Sequence, residues 1–216
     1  PYPLEAVFVG HPLADEIDLE AGTESARRDA RERLHLPTEG LVLALLPGSR
    51  GSEVALLLDD CLEAAERFRQ LSQLSQLSVV IPCVNQARLD QVREKTAGQP
   101  HLDIVLHEGN ARTPLVAADV ALVKAGTSTL EAMLLGRPMV VSYRLGRLSY
   151  QLARHLVRTP HVALPNILLG RGVVPELLQD EGTPEALAGK LREELDKSLR
   201  EPEYLGDFRR MHETLR

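Results

Sequence analysis

The chain has 216 residues, of which 44% are hydrophobic, 26% charged and 3% aromatic, and its formal net charge at pH 7 is −6. This length and composition predict a globular protein with a sizeable core and exclude an intrinsically disordered chain. No apolar run approaches the roughly 20 residues that span a bilayer, and no segment resembles a signal peptide, so we expect a cytoplasmic protein. The acidic balance and the absence of tryptophan argue against a nucleic-acid-binding protein.

The two cysteines, Cys61 and Cys83, lack the spacing of a zinc site or a disulfide framework. We therefore predict two thiols in the core, with neither a disulfide framework nor a zinc site. The first residue is proline rather than methionine, and residues 4–10 are predicted to form a buried strand with no earlier strand to pair with. The sequence is accordingly interpreted as a fragment of a longer protein.

Short apolar runs alternate with amphipathic helical patterns along the chain, which is typical of βαβ units and predicts an α/β fold with a parallel sheet. The helix after the first run is the clearest, because apolar residues recur at helical spacing over 54–68 and place Cys61 on the inward face. The last helical segment is predicted to begin after Thr183 as N-cap and to break at Pro202. The predicted strands are 41–46, 78–82, 103–107, 119–123 and 138–143.

The segment LLPGSRGSEV, residues 45–54, joins the first predicted strand to that helix. In an open parallel sheet, ligands bind at the carboxyl ends of the strands, where the next helix offers unpaired N–H groups. Two glycines flank Ser49 and Arg50, so one turn can present backbone amides, a hydroxyl and a guanidinium to the same phosphate. The alternative is an ordinary strand-to-helix turn, with Ser52 as N-cap and Arg50 in solvent.

A second strand-to-helix turn, in the segment VKAGTSTLEAM, repeats this chemistry at Gly126, Thr127 and Ser128. Two interpretations compete for Glu131. The spacing from Ser128 to Glu131 matches a capping box, in which the glutamate only satisfies the start of its own helix. Alternatively, Glu131 accepts hydrogen bonds from a ribose diol, as the acidic residue of dinucleotide-binding folds does.

The segment 132–175 contains no acidic residue but six arginines, in a chain whose net charge is negative, and this segregation favours an anionic partner. Within it, Arg147, Gln151, Arg154 and Arg158 share one face of a predicted helix, with leucines on the other. Such a basic amphipathic helix can lie on an anionic membrane surface. The alternative is a core-packed helix with a solvated arginine face. The six arginines are Arg137, Arg144, Arg147, Arg154, Arg158 and Arg171.

Four segments resemble, in order and spacing, the C-terminal half of lipid-A-disaccharide synthase, and the resemblance covers nearly the whole chain. The turn with Gly-Thr and Leu-Glu-Ala is shared by many GT-B glycosyltransferases, whereas PGSRGSE together with LPNILLGR is far more specific. The segments are VGHPLAD at 9–15, LLPGSRGSEV at 45–54, ADVALVKAGTSTLEAMLLGRPMVVSYR at 118–144 and LPNILLGRGVVPELLQ at 164–179.

The resemblance implies a transfer from UDP-2,3-diacylglucosamine to 2,3-diacylglucosamine 1-phosphate, which gives the β-1,6-linked lipid A disaccharide 1-phosphate and UDP. It implies no metal and no other cofactor. It implies that the chain is the Rossmann-like, UDP-sugar-binding domain of a GT-B fold, with the acceptor site and general base in an absent N-terminal half. Residues 1–16 would be the last strand and hinge of that half, 17–200 the donor domain and 201–216 the start of a helical tail. A homodimer, peripheral on the cytoplasmic face of the inner membrane, is implied for the full-length enzyme.

Carried over by residue, the resemblance implies that Ser49 and Arg50 hold the diphosphate and that Glu131 binds the ribose. Ala125 departs from the family, where serine is common before Gly-Thr. Another enzyme of UDP-sugars, such as an epimerase or a peptidoglycan glycosyltransferase, and a non-catalytic UDP-binding module are the alternatives. The remaining positions implied are the helix-start residues Gly126, Thr127 and Ser128, the uracil loop His107, Glu108, Gly109 and Asn110, and the polar residues Asn166 and Arg171, with Arg50 and Asn166 supporting catalysis.

Overall fold

The structure, a computed structural model, describes residues 7, 9–146, 160–201 and 203–216. Within these residues six strands form one sheet, in the order β3-β2-β1-β4-β5-β6, and every neighbouring pair is parallel. The α/β fold class predicted from the sequence, a Rossmann-like parallel sheet flanked by helices, is confirmed. The strands are β1 Val42–Leu46, β2 Leu77–Cys83, β3 Leu102–Glu108, β4 Val120–Lys124, β5 Met139–Tyr143 and β6 Glu176–Leu178.

Helices connect consecutive strands and cover both faces of the sheet. In the described part of the chain they are α1 Pro12–Glu16, α2 Glu24–Arg33, α3 Gly51–Leu71, α4 Gln86–Thr96, α5 Arg112–Ala117, α6 Thr127–Leu134, α7 Leu164–Leu169, α8 Pro184–Arg200 and α9 Gly206–Leu215, with a 3₁₀ turn at Gln179–Glu181. None of them has the length and apolar character that a membrane-crossing helix requires.

The strand order places a topological switch point between β1 and β4. From β1 the chain moves outward through β2 to β3, and then returns to the other side of β1 to form β4. The connections that leave the carboxyl ends of β1 and β4 therefore diverge toward opposite faces of the sheet. In doubly wound folds this divergence opens a crevice in which ligands bind.

Two apolar layers enclose the sheet, one on each face. One layer packs α3, α4 and α8 against the strands and contains Phe68, Leu77 and Leu191; the other contains Val42, Met133 and Phe208. The predicted inward position of Cys61 is confirmed, since only 2% of it is exposed, and burial raises the pKa of its thiol to about 12.

The five predicted strands are confirmed, with ends that agree to within one residue, but β6 was not predicted. This edge strand has three residues and directly follows Pro175, so its apolar signal is too short to indicate a strand. Thr183 is confirmed as the N-cap of α8, and its Oγ1 accepts a hydrogen bond from the Ala186 N–H at 3.2 Å. The strand predicted at 4–10 and Pro202 fall largely or wholly outside the described residues. The proposed domain boundaries stay a prediction.

An arginine cluster, formed by Arg27, Arg31 and Asp119, fixes α2 to the amino end of β4. Asp119, which directly precedes that strand, accepts from Arg27 Nη1 and Arg31 Nη2, both at 2.7 Å, and from the Val42 N–H at 2.7 Å. Arg31 also donates to three main-chain carbonyls, those of Ala117, Thr38 and Gly40. A charged group of this kind is buried only when its hydrogen bonds are satisfied, so Asp119 is the centre of this attachment.

Candidate functional site

A cleft of about 410 Å³ opens at the switch point, at the carboxyl ends of β1 and β4. It brings together the two turns that the sequence predicts as anion sites, together with the loop that follows β3. The lining residues are Leu46, Gly48, Ser49, Arg50, Glu53, Pro82, Val84, Gly109, Asn110, Ala111, Lys124, Ala125, Gly126, Thr127, Ser128 and Glu131.

The first turn folds around the side chain of Glu53. Glu53 Oε2 accepts from the backbone N–H groups of Ser49 at 3.1 Å and Arg50 at 3.2 Å, and Arg50 is the N-cap of α3. These two N–H groups are therefore paired with Glu53, and a role of Ser49 and Arg50 in phosphate binding stays a prediction. The alternative that places the N-cap at Ser52 is wrong. Gly48 has a φ of +123°, and a Cβ there would lie 2.7 Å from Glu53 Cβ, so only glycine fits.

Two cations meet at the other oxygen of the same carboxylate. Arg50 Nη1 lies 3.0 Å and Lys124 Nζ 3.1 Å from Glu53 Oε1. The side chains of Glu53 and Lys124 are only 16% and 17% exposed, whereas that of Arg50 is 78% exposed. Burial raises the pKa of Glu53, but hydrogen bonds from Lys124 and from the backbone outweigh burial and leave the pKa lowered. The carboxylate is therefore ionised at neutral pH.

The second turn begins α6 at Thr127, with Gly126 as N-cap and no side-chain cap. Thr129 Oγ1 donates to the Gly126 carbonyl at 2.8 Å. Because the helix begins at Thr127, the third helical position is Thr129, and the capping-box interpretation of Ser128 and Glu131 is wrong. The first N–H groups of a helix have no intrahelical acceptor, and here they belong to residues that line the cleft.

Glu131 lies on the wall of the cleft, one turn into α6, with its side chain 15% exposed. Its Oε1 is 3.7 Å from Arg112 Nε, and Arg112 also pairs with Glu16. Burial raises the pKa of Glu131, and the attraction of Arg112 reduces this effect without reversing it. Glu131 is thus a carboxylate that faces the cleft and is not used to cap a helix.

Four of the predicted site residues do not line the cleft. His107 and Glu108 end β3, and only the next two residues of the predicted uracil loop, Gly109 and Asn110, are in the lining. Arg171 pairs with Asp207 on the surface.

The fourth, Asn166, is 1% exposed. Its Oδ1 accepts from the Val173 N–H at 2.7 Å and the Val174 N–H at 2.9 Å, and its Nδ2 donates to the Val174 carbonyl and to Glu176 Oε1, each at 2.9 Å. With these bonds its amide holds the loop between α7 and β6 in place.

The arginines of the acid-free segment do not form a common free face in the part of the chain that the structure describes. Arg137 is buried and donates to the carbonyls of Leu135, Ala118 and Gly22, and burial lowers its pKa to about 10. Arg144 pairs with Asp60. The predicted basic face of Arg147, Gln151, Arg154 and Arg158 lies outside the described residues.

Lys124, Glu53 and Arg112 belong to the site but were missed in the sequence. A signal existed for Lys124, because it is a charged residue that directly ends an apolar strand, VALVK. Glu53 stands three residues after Arg50, which is the spacing of a capping box, but arginine is not among the usual N-cap residues. Arg112 has no such local signal, since it reaches Glu131 from a different helix.

Solved structures share this fold. WaaG, a glycosyltransferase involved in lipopolysaccharide biosynthesis, aligns with a TM-score of 0.57 at 17% identity and covers 90% of this chain and 50% of its own. A glycosyltransferase from Rickettsia africae gives 0.59 at 12% identity, over 94% of this chain and 49% of its own. The E. coli ADP-heptose heptosyltransferase II gives 0.53 at 12% identity, over 82% and 53%. At these identities the likeness concerns the fold.

The sequence relatives are closer. A lipid-A-disaccharide synthase of Pseudomonas paraeruginosa is 44% identical over 97% of this chain and 53% of its own length, one of Azotobacter vinelandii is 48% identical over 85% and 47%, and one of Sodalis glossinidius is 44% identical over 100% and 55%. The chain thus spans about half the length of the curated relatives it matches. The family described as lipid-A-disaccharide synthetase matches residues 1–214. The resemblance seen in the sequence is confirmed, and the chain belongs to the lipid-A-disaccharide synthase family.

Proposed function

We propose that this chain is the donor-binding part of a lipid-A-disaccharide synthase, a hexosyltransferase of lipid A biosynthesis. It would hold UDP-2,3-diacylglucosamine while the sugar passes to 2,3-diacylglucosamine 1-phosphate, releasing UDP. The observation that carries the proposal is the cleft at the switch point, where two helix-start turns, the cations Arg50 and Lys124 and the carboxylate of Glu131 meet. The acceptor site and the general base are proposed for the part of the relatives that this chain does not span.

The chemistry of the reaction fits the residues of the cleft. As the glycosidic bond of the donor breaks, negative charge develops on the β-phosphate of UDP, and fixed cations and dipoles aimed at that charge stabilise the transition state. We assign the diphosphate to Arg50, to Lys124, to the Ser49 hydroxyl and to the N–H groups that open α6 at Thr127 and Ser128. The positive end of the α6 dipole also points toward the position assigned to the diphosphate.

The nucleoside is assigned to the two remaining parts of the cleft. Glu131 is placed to accept from the ribose hydroxyls, and the loop at Gly109 and Asn110 is placed to contact uracil. His107 and Glu108, implied by the family resemblance, lie beside this loop, and a role for them in uracil binding stays a prediction. Asn166 and Arg171 are assigned no contact with the donor.

Titration calorimetry of this chain with uridine, UMP, UDP, ADP and GDP tests the proposal. We expect UDP to bind more tightly than ADP and GDP, because the base is recognised, and more tightly than uridine, because the diphosphate is. Equal affinities for the three diphosphates would argue against it. In a second assay, this chain is combined with the N-terminal half of a relative and with the lipid donor and acceptor. An enzyme would form the disaccharide, whereas a non-catalytic UDP-binding module would form none.

We further propose that the acid-free segment contacts an anionic membrane surface. Each basic residue near such a surface contributes about 1 kcal/mol, and salt screens the attraction. Association with anionic vesicles is expected to fall with salt and with glutamine at Arg147, Arg154 and Arg158. Equal sedimentation with neutral and anionic vesicles would contradict this assignment. A control variant of the same charge change carries glutamine at Arg93, Arg192 and Arg210, which pair with acidic residues on the surface.

A further inference from the structure

The ion pair of Glu53 and Lys124 links the two turns of the cleft, and Glu53 has no role yet in the proposed reaction. Resting on the proposed function, we propose that Glu53 is a positioning residue for the donor diphosphate. It holds Lys124 next to Arg50, with Lys124 inside the cleft and Arg50 at its opening. Lys124 is then a second cation that binds the diphosphate directly. Three sets of observations carry this assignment: the saturation of the carboxylate, the convergence of the cations and the fixed position of Lys124.

The carboxylate of Glu53 is held from four directions. Oε2 accepts from the N–H groups of Ser49 and Arg50, and Oε1 accepts from Arg50 Nη1 and Lys124 Nζ. A carboxylate offers about four lone-pair sites, so its acceptor capacity is filled. The side chain also packs against Gly48, where the backbone comes too close for any other residue. A group held in this way has a single position, which is what a residue that orients others requires.

The electrostatic role follows from the shared oxygen. Arg50 and Lys124 approach the same atom, Glu53 Oε1, at 3.0 and 3.1 Å, and two cations at such close quarters would repel each other without the anion between them. With Glu53 in place the group of three carries a net charge of +1, and both cations stay at the cleft. A diphosphate that enters therefore meets donors that are already oriented, and little is lost in reorganising them.

Lys124 is placed by the sheet rather than by a loop. It ends β4, its neighbour in the register of β5 is Ser142, and its Nζ lies 5.2 Å from the centre of the Tyr143 ring. A cation over an aromatic face is attracted to it. A Cβ at Gly126 would be 4.0 Å from Nζ, so the ammonium group also lies beside the second turn. One side chain thus joins the turn after β1 to the start of α6.

A different role for Glu53 predicts the opposite result. If the carboxylate of Glu53 merely occupies the place of a phosphate, the donor must displace it, and removal of the negative charge will increase the affinity for UDP. If Glu53 positions the cations, removal of its charge will lower the affinity for UDP but leave the affinity for uridine unchanged. Glu53→Gln is suitable for this choice, because the amide oxygen can still accept from the backbone N–H groups while the charge is lost.

The experiment is a double-mutant cycle with UDP and uridine, measured by titration calorimetry above the phosphate pKa of about 6. We expect Glu53→Gln to weaken UDP about fivefold and Lys124→Met by a similar factor, with uridine unchanged in both. Because Glu53 acts in part through Lys124, Glu53→Gln should cost less in the Lys124→Met background than alone. Glu193→Gln, in the exposed pair with Lys190, is the matched control and should bind like the parent.

Tighter binding of UDP by Glu53→Gln overturns the assignment, as does an equal loss for UDP and uridine with a lowered melting temperature, which would mean a structural role only. Fully additive effects of the two substitutions also overturn it. A parent chain that prefers UDP to uridine, with variants that keep the preference, contradicts this inference alone. A parent chain without that preference contradicts the proposed function and the inference together.

Discussion

Replacement of Asp119 by alanine is expected to lower the free energy of unfolding by about 3–5 kcal/mol, the usual cost of removing one partner from a buried ion pair. The side chain of Asp119 is 12% exposed, and that of its partner Arg31 is 5% exposed. Without the carboxylate, Arg31 keeps its bonds to main-chain carbonyls but its charge stays buried and uncompensated. The Val42 N–H at the start of β1 loses its side-chain acceptor as well.

Urea unfolding followed by circular dichroism measures this loss. Asp119→Asn keeps an oxygen for the Val42 N–H but removes the charge. We therefore expect its free energy of unfolding to lie between those of the parent and the alanine variant. Asp90→Ala is the control, because its pair with Arg93 has both side chains about 60% exposed, and exposed pairs contribute about 0–1 kcal/mol. If the alanine variants at 119 and 90 unfold at the same urea concentration, the arginine cluster does not fix α2 as described.

The central strands of the sheet could be predicted from the sequence because they are buried on both faces. In β1 all five residues are buried, which leaves a continuous apolar run that local pattern reveals. The strand β6 could not be found in the same way, since three residues carry too little pattern. The general position of the site could also be predicted, because glycine-containing turns at strand ends meet at one edge of a parallel sheet.

The partners inside the site could not be predicted, because they depend on strand order. Lys124 reaches Glu53 only because β4 pairs with β1, a contact between residues 71 positions apart. The capping-box interpretation placed the N-cap of α6 at Ser128, two residues after the observed N-cap Gly126, and so made Glu131 look like part of a helix cap. Charge counting along 132–175 likewise gave no indication that Arg137 is buried against carbonyls.

The substitution Glu131→Gln is expected to weaken the binding of UDP without lowering the stability of the fold. A carboxylate can accept from both ribose hydroxyls, and charged hydrogen bonds are worth about 1.5–3 kcal/mol against about 1 for neutral ones. We therefore expect Glu131→Gln to weaken UDP by about tenfold or more, the factor that about 1.4 kcal/mol represents. 2′,3′-Dideoxy-UDP, which lacks the diol, should bind the parent and the variant almost alike.

Glu131→Gln is not expected to lower the stability of the fold. Burial raises the pKa of Glu131 in the folded chain above its unfolded value, so the fold loses stability as the pH rises through these two pKa values and the carboxylate ionises. At neutral pH the neutral amide avoids that cost, and the melting temperature should stay the same or rise slightly. Glu193→Gln, in the exposed pair with Lys190, is the matched control and should keep the parent's preference for the intact ribose. Glu108→Gln, at the exposed end of β3 beside the cleft, tests the alternative position of the ribose. If Glu131→Gln keeps that preference and Glu108→Gln loses it, the ribose lies against the loop after β3, and the nucleoside must be placed the other way round in the cleft.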